Sequence, residues 1–186
     1  ITMVPNSLGP GELLLHYGTI FQKNKYLPGL ANGEYIPCFG LTGPNNGSDA
    51  AGPIDEGEVK LVDGKKVIEI EINKRYITLA PVANLIGLAF KLKDPDDLLE
   101  RGKEGITVAL IESDHQGLVK ESYHNPLNIG FPNGTLKGKI QIGLEQVIGG
   151  EENCGHGWQM LMECLAAGRG ICSVSYTHLT LPTTPV

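Results

Sequence analysis

The chain has 186 residues, enough for one ordinary domain or parts of two, and its 41% hydrophobic fraction can fill a core. A net charge of −6 with no Lys/Arg run excludes the electrostatic footprint of a nucleic-acid binder. The longest apolar stretch, Leu79 to Phe90, is broken by Pro81 and Asn84 and falls short of the roughly 20 residues of a bilayer-spanning helix. Ile1-Thr2-Met3-Val4-Pro5 carries neither the basic residue nor the apolar run of a secretory signal. Cys38, Cys154, Cys164 and Cys172 form no Cys-x-x-Cys pair and are too few for a disulfide scaffold, which points to a reducing, cytoplasmic setting. Abundant Gly and Pro with few aromatics point to many turns and a substantial β component.

From Gly11 to Gly33 the pattern is helical, with Leu13, Leu14, Tyr17 and Phe21 gathered on one side of a 3.6-residue period. Gly18-Thr19 is a break, and Thr19 is the N-cap of a second short helix in which Ile20 to Leu27 pack one face inward. Pro28 limits the run of that helix, and the helical part ends at Gly33.

Ile36 to Leu41 reads as a short strand that runs into a dense turn cluster, Thr42-Gly43-Pro44-Asn45-Asn46-Gly47-Ser48-Asp49. Val59 to Ile68 reads as a hairpin, because Asp63-Gly64 supplies the positive φ values of a type I′ turn. In its second arm Ile68, Ile70 and Ile72 alternate with Glu69, Glu71 and Asn73, the mark of a strand buried on one face. Further strands are predicted at Tyr76–Leu79, Leu85–Leu92, Ile106–Ile111 and Lys139–Ile142. Without long helices between them, these strands argue for antiparallel pairing. After Gly155-His156-Gly157 the period turns helical again, with Trp158, Leu161, Met162 and Leu165 on one face.

The predicted class is therefore α+β: a middle antiparallel β-barrel or sandwich domain (35–150), flanked by the end of an N-terminal helical domain (1–34) and the start of a C-terminal helical bundle (151–173). Residues 174–186 have no helical period and contradict the helix that feeds into them. They read as a non-native tail on a fragment cut where a helical domain begins.

The turn cluster is the chemically informative segment. Thr42 and Ser48 carry hydroxyls that donate and accept, and Gly47 lets the backbone approach a flat or phosphorylated ligand. Spacing alone equally fits a plain connection held by Asx-turns at Asn45, Asn46 and Asp49. Tyr76 and Thr78 likewise fit ordinary strand propensity. His16, His115, His124, His156 and His178 never stand at metal-ligand spacing, and no Gly-x-Ser-x-Gly elbow supports a hydrolase. Glu163 reads as an exposed carboxylate, and Arg169 as a capping or ion-paired arginine.

Gly40, Leu41, Thr42, Pro44, Gly47, Ser48, Asp49 and Gly52 are in register with the first signature of the acyl-CoA dehydrogenase family, which this segment resembles, with Gly43 where the family has Glu. The resemblance continues in Tyr17-Gly18-Thr19 with Gln22-Lys23, Lys25-Tyr26-Leu27-Pro28 and Gly33-Glu34. It runs on through Lys74-Arg75-Tyr76-Ile77-Thr78, Val147-Ile148-Gly149-Gly150, Gly157-Trp158-Gln159-Met160 and Gly168-Arg169-Gly170, nearest to the large bacterial branch.

The resemblance implies FAD-dependent α,β-dehydrogenation of a fatty acyl-CoA to a trans-2-enoyl-CoA, with electrons leaving through an electron-transfer flavoprotein-type acceptor, in a protein that is a homo-oligomer at full length. It implies that Phe39, Leu41 and Thr42 lie against the isoalloxazine and that Gly47 approaches it. Ser48 would reach both flavin and substrate. Tyr76, where the family has Trp, would present a flat ring, and Ile77 and Thr78 would lie near the reactive edge. No residue of this chain is assigned as the catalytic base, which the resemblance puts beyond residue 173. Two rival readings keep the same residues: a flavin- or acyl-CoA-binding module without dehydrogenation, and an acyl-CoA oxidase-like enzyme.

Overall fold

The computed structural model describes residues 5–52, 54–125, 128, 132–164 and 166. Arg169, Gly168-Arg169-Gly170, Leu165 and the expected tail 174–186 lie outside the described residues.

Helix α1 (Pro5–Tyr17) and helix α2 (Ile20–Asn32) meet at the expected break. Thr19 forms a reciprocal capping box: its hydroxyl accepts from Gln22 N at 3.2 Å, and Gln22 Oε1 accepts from Thr19 N at 3.0 Å. Gly33 closes α2 in the left-handed region at φ 83°. Two details differ from expectation. Pro28 sits inside α2, where its ring and Asn24, whose carbonyl loses a partner, are both exposed to water. The inward stripe of α2 is Gln22, Tyr26 and Gly29, whereas Ile20 and Phe21 are 80% and 71% exposed.

Gln22 explains the polar start of that stripe. Its side chain is 2% exposed and donates to the carbonyls of Glu145 (2.9 Å) and Val147 (2.7 Å) while accepting from Gly149 N (3.0 Å). One amide thus caps α2 and fastens it to the chain segment following the sheet.

The strands are β1 (Pro37–Gly40), β2 (Glu56–Val62), β3 (Lys65–Thr78), β4 (Leu85–Lys93), β5 (Gly105–Glu112), β6 (Leu118–His124) and β7 (Asn133–Gly143). They form one seven-stranded sheet, β1-β4-β2-β3-β7-β6, with β5 on β4. The β2–β3 hairpin turns at Asp63 (φ 51°) and Gly64 (φ 75°), as predicted. Ile68, Ile70 and Ile72 face the core.

The sheet is mixed and does not close into a barrel. β1 and β2 both lie parallel to β4, β1 beside Leu85–Leu88 and β2 beside Lys91–Lys93. The expectation of antiparallel pairing throughout is corrected here: the β2–β3 hairpin itself makes the crossover that parallel strands need, so no helix is required. The stretch Tyr76–Leu79 is not a separate strand. Through Thr78 it continues β3 past a bulge, where Lys74 faces Leu136 and Ile77 faces Gly134, so three steps oppose two. β6 was not foreseen, because its described side chains are exposed or half-buried and show no apolar alternation. β7 is longer than Lys139–Ile142 because Gly134 and Gly138 interrupt the pattern. Gly138 (φ 134°) lies so close to β6 that a Cβ there would meet Gly117 O at 1.9 Å.

β4 and β5 are buried on both faces. Ile86, Leu88, Phe90, Leu92, Ala109 and Ile111 join the main core, while Leu85, Ala89, Val108 and Leu110 join a second cluster with Leu13, Leu14 and Tyr26 of the helices. Met160 and Leu161, in the helical stretch 157–164, complete that second layer.

Gln22→Ala removes the side-chain partner of four backbone groups, Thr19 N, Glu145 O, Val147 O and Gly149 N, and leaves only the Thr19 Oγ1 half of the capping box. It is expected to lower the unfolding free energy by about 3 kcal/mol in urea denaturation, whereas Asn24→Ala is expected to change it by less than about 0.5 kcal/mol.

Candidate functional site

The loop between β1 and β2 is held from below by one buried side chain. Lys74 continues the inward phase of Ile68, Ile70 and Ile72 and is 0% exposed. Its ammonium donates to Leu41 O at 3.1 Å and pairs with Asp55 Oδ2 at 3.2 Å. Burial pushes the Lys74 pKa down, and the charge and hydrogen bond of Asp55 oppose that shift. Asp55 Oδ2 also accepts from Asn73 N at 2.9 Å, and Asp55 O accepts from Lys91 N at 2.8 Å. Leu41 starts the loop and Asp55 ends it, so a single cation ties both ends to β3.

Asn46 closes the loop from within. It is 4% exposed, accepts from Gly43 N through Oδ1 at 2.7 Å, and donates through Nδ2 to Leu41 O at 3.1 Å. A Cβ on Gly43 would lie 2.7 Å from Asn46 Oδ1 and 3.1 Å from Asn73 O, so a side chain at this position would have to displace the buried Asn46 amide. Asp49 makes the expected Asx-turn, accepting from Ala51 N at 3.2 Å.

The bulge in β3 meets this loop. Arg75 N donates to Thr42 O at 3.0 Å, which joins the exit of β1 to the Tyr76 segment. Tyr76 has φ 57°, a conformation costing a bulky residue about 1 kcal/mol, and its ring is half exposed. The Arg75 guanidinium lies 4.6 Å from that ring and donates to its hydroxyl at 2.8 Å, and the His124 ring stands 4.8 Å away on the other strand. The Thr78 hydroxyl donates to Asn133 Oδ1 at 3.1 Å.

One backbone bond, Arg75 N to Thr42 O, therefore sets the exit of β1 beside the Tyr76 segment. The Phe39 and Leu41 side chains belong to the helix-side apolar cluster, and the Ile77 side chain is buried in the main core at 3% exposure, leaving only its backbone for a ligand. Gly47 and Ser48 stand exposed on the loop, and no hydrogen bond or ring contact joins them to Tyr76 or Thr78. A Cβ at Gly47 would meet nothing within 4 Å. Lys74, Asp55 and Asn46 were missed as site builders, although a lysine in the buried phase of β3 is a readable signal of a paired internal charge. Glu163 is not free: it accepts from the Tyr17 hydroxyl and from Gln159 Nε2 at 3.1 Å, and the Tyr17 bond chiefly holds its pKa low. A cleft lined by Glu56, Glu58, Glu69, Lys91, Lys93 and Lys139 lies elsewhere and contains none of these site residues.

No family model matches the chain. It is 47% identical over 85 residues to a Proteus mirabilis protein named HemX, a match covering 45% of this chain and 50% of that protein. It is 28% identical over 175 residues to an acyl-CoA dehydrogenase of Bacillus subtilis, covering 91% of this chain and 42% of the relative. Among solved structures it resembles the butyryl-CoA dehydrogenase of Megasphaera elsdenii, with TM-score 0.74, 25% identity, and coverage of 90% of this chain and 42% of that one. It also resembles a glutaryl-CoA dehydrogenase of Mycobacterium smegmatis in complex with FADH2, with TM-score 0.70, 26% identity, and coverage of 90% and 39%. The chain spans half or less of the length of these relatives.

Asn46→Ala removes both side-chain bonds inside the loop and is expected to cost about 2 kcal/mol of stability by thermal or urea unfolding. The exposed neighbour variant Asn45→Ala is expected to stay within about 0.5 kcal/mol of the parent chain.

Proposed function

The chain belongs to the acyl-CoA dehydrogenase family, and on that premise we propose that it forms the flavin-holding middle of an enzyme that dehydrogenates an acyl-CoA thioester between its α and β carbons. The observation that carries this reading is the junction of the β1 exit with the β3 bulge, Arg75 N on Thr42 O at 3.0 Å, beside a half-exposed Tyr76 ring.

The residues present fit a flat, hydrogen-bonding cofactor such as FAD. The Thr42 N–H meets no acceptor among the described residues, and a Cβ on Gly47 would have open space around it. Thr42 would offer its N–H and hydroxyl to acceptor edges of the ring system, Tyr76 its exposed face, and Thr78 its hydroxyl near the reactive edge. Phe39, Leu41 and Ile77 would shape the seat through backbone groups, their side chains being engaged in the two apolar layers. Ser48, on the exposed crest of the loop, is the candidate contact to both flavin and thioester.

When bound, FAD supplies an acceptor for hydride from the β-carbon. The chain's own part is to orient the ring and exclude water, since an α-proton on a thioester is lost at neutral pH only where the developing oxyanion is held in a dry, hydrogen-bonding site. No residue of this chain is assigned as the base, which we place in the parent protein, within a C-terminal helical domain. Fatty acyl chains are the proposed substrate class; the similar structures are named for butyryl-CoA and glutaryl-CoA dehydrogenases. An electron-transfer flavoprotein is the proposed acceptor, and a homo-oligomer the proposed full-length state.

Titration with FAD, followed by flavin fluorescence, is the test. The chain is expected to bind FAD, and Thr42→Ala and Thr78→Val are each expected to weaken binding about tenfold, the loss of roughly 1.4 kcal/mol. A fatty acyl-CoA is expected to leave the visible absorption of the bound flavin unbleached. Failure to bind FAD, or binding indifferent to both substitutions, defeats the reading.

A further inference from the structure

Four backbone groups run from the Leu41 carbonyl to the Gly43 amide, and three of them are paired. Leu41 O takes hydrogen bonds from Lys74 Nζ and Asn46 Nδ2, both at 3.1 Å. Thr42 O accepts from Arg75 N at 3.0 Å. Gly43 N donates to Asn46 Oδ1 at 2.7 Å. The Thr42 N–H alone meets no acceptor among the described residues. A trans peptide is planar, with its C=O and N–H pointing in opposite directions. Drawing the Leu41 carbonyl toward the buried ammonium therefore turns the Thr42 N–H away from it.

We propose that Lys74 is a positioning residue whose ammonium, neutralised by Asp55, fixes the Leu41–Thr42 peptide so that the Thr42 N–H is presented as a donor to an acceptor edge of a flat heteroaromatic cofactor. The inference rests on the flavin reading above and adds to it the element that sets the donor's direction. Lys74 itself is 0% exposed and has no path to a ligand, so it acts through the peptide. Its second partner gives the device rigidity: Asp55 is held by Asn73 N at 2.9 Å, so the ammonium has a fixed seat from which to hold the carbonyl. Asn46 alone supplies a neutral donor on an arm that also serves Gly43, whereas Lys74 supplies a charged donor from the sheet.

Amide hydrogen exchange by NMR, with and without FAD, tests this on the whole chain beside FAD titration and the visible spectrum of the bound flavin. Lys74→Met strands the Asp55 carboxylate and can unfold the chain, so Lys74→Met/Asp55→Asn, which removes both charges at similar volume, is measured in parallel with circular dichroism as the check on folding. In the parent chain the Thr42 N–H is expected to exchange freely without FAD and to slow by about tenfold or more with it. In the folded double variant FAD is expected to bind about tenfold more weakly, with no FAD-dependent slowing at Thr42 and an altered visible band. A merely structural lysine would weaken binding without separating Thr42 from the other amides of the loop. Slow exchange at Thr42 in the FAD-free parent, or parental Thr42 protection and flavin spectrum in the double variant, overturns the inference and leaves the flavin reading standing. A parent chain that does not bind FAD overturns both.

Discussion

A buried ammonium is the constraint on which the candidate site depends. Removing Lys74 from water is unfavourable unless its charge and protons find partners, and here they find the Asp55 carboxylate and the Leu41 carbonyl. Those partners are the two ends of the β1–β2 loop. The loop is thus closed by the same interaction that makes the lysine tolerable, and its start lies beside the β3 bulge. The bulge in turn frees Arg75 N from the β7 ladder and lets it reach Thr42 O. The loop ends, the bulge and the half-exposed Tyr76 ring thus meet around one internal ion pair.

Behind the site, β4 carries the load. Its residues alternate between two apolar layers, one filled from β3 and β7 and one from the helices. Burial on both faces explains why its sequence is a continuous apolar run rather than an alternation. Gln22 complements this packing with polar contacts, fixing α2 to the segment after β7 at a place where backbone groups would otherwise be stranded. Positions near the site are therefore set by the sheet, while Pro44, Asn45, Gly47, Ser48, Asp49 and Ala51 of the loop are exposed.

Much of this was legible. The Thr19 cap, the Gly33 stop, the Asp63-Gly64 turn and the inward isoleucines follow from local chemistry, because each depends on near neighbours in the chain. The parallel pairs of β1 and β2 with β4 were not legible, since strand periodicity carries no direction and a hairpin can replace the usual helical crossover. β6 was hidden because its wet edge position imposes no hydrophobic phase. At the candidate site, the resemblance names Thr42 and Tyr76, but the approach of their segments depends on Arg75 N and a bulge that no local pattern announces. Lys74 was visible in phase with the isoleucines, while Asp55, well before it in the chain, shows no sign of being its counter-ion until the strands are placed.

The tight fit of Gly43 against Asn46 has a consequence for descent. The volume a side chain at 43 needs is occupied by the amide at 46, so the two positions are one choice rather than two. A lineage moving from glycine to a carboxylate at 43 must first, or simultaneously, shorten or redirect 46. Replacements at 43 and 46 are therefore expected to be non-additive in their effect on stability.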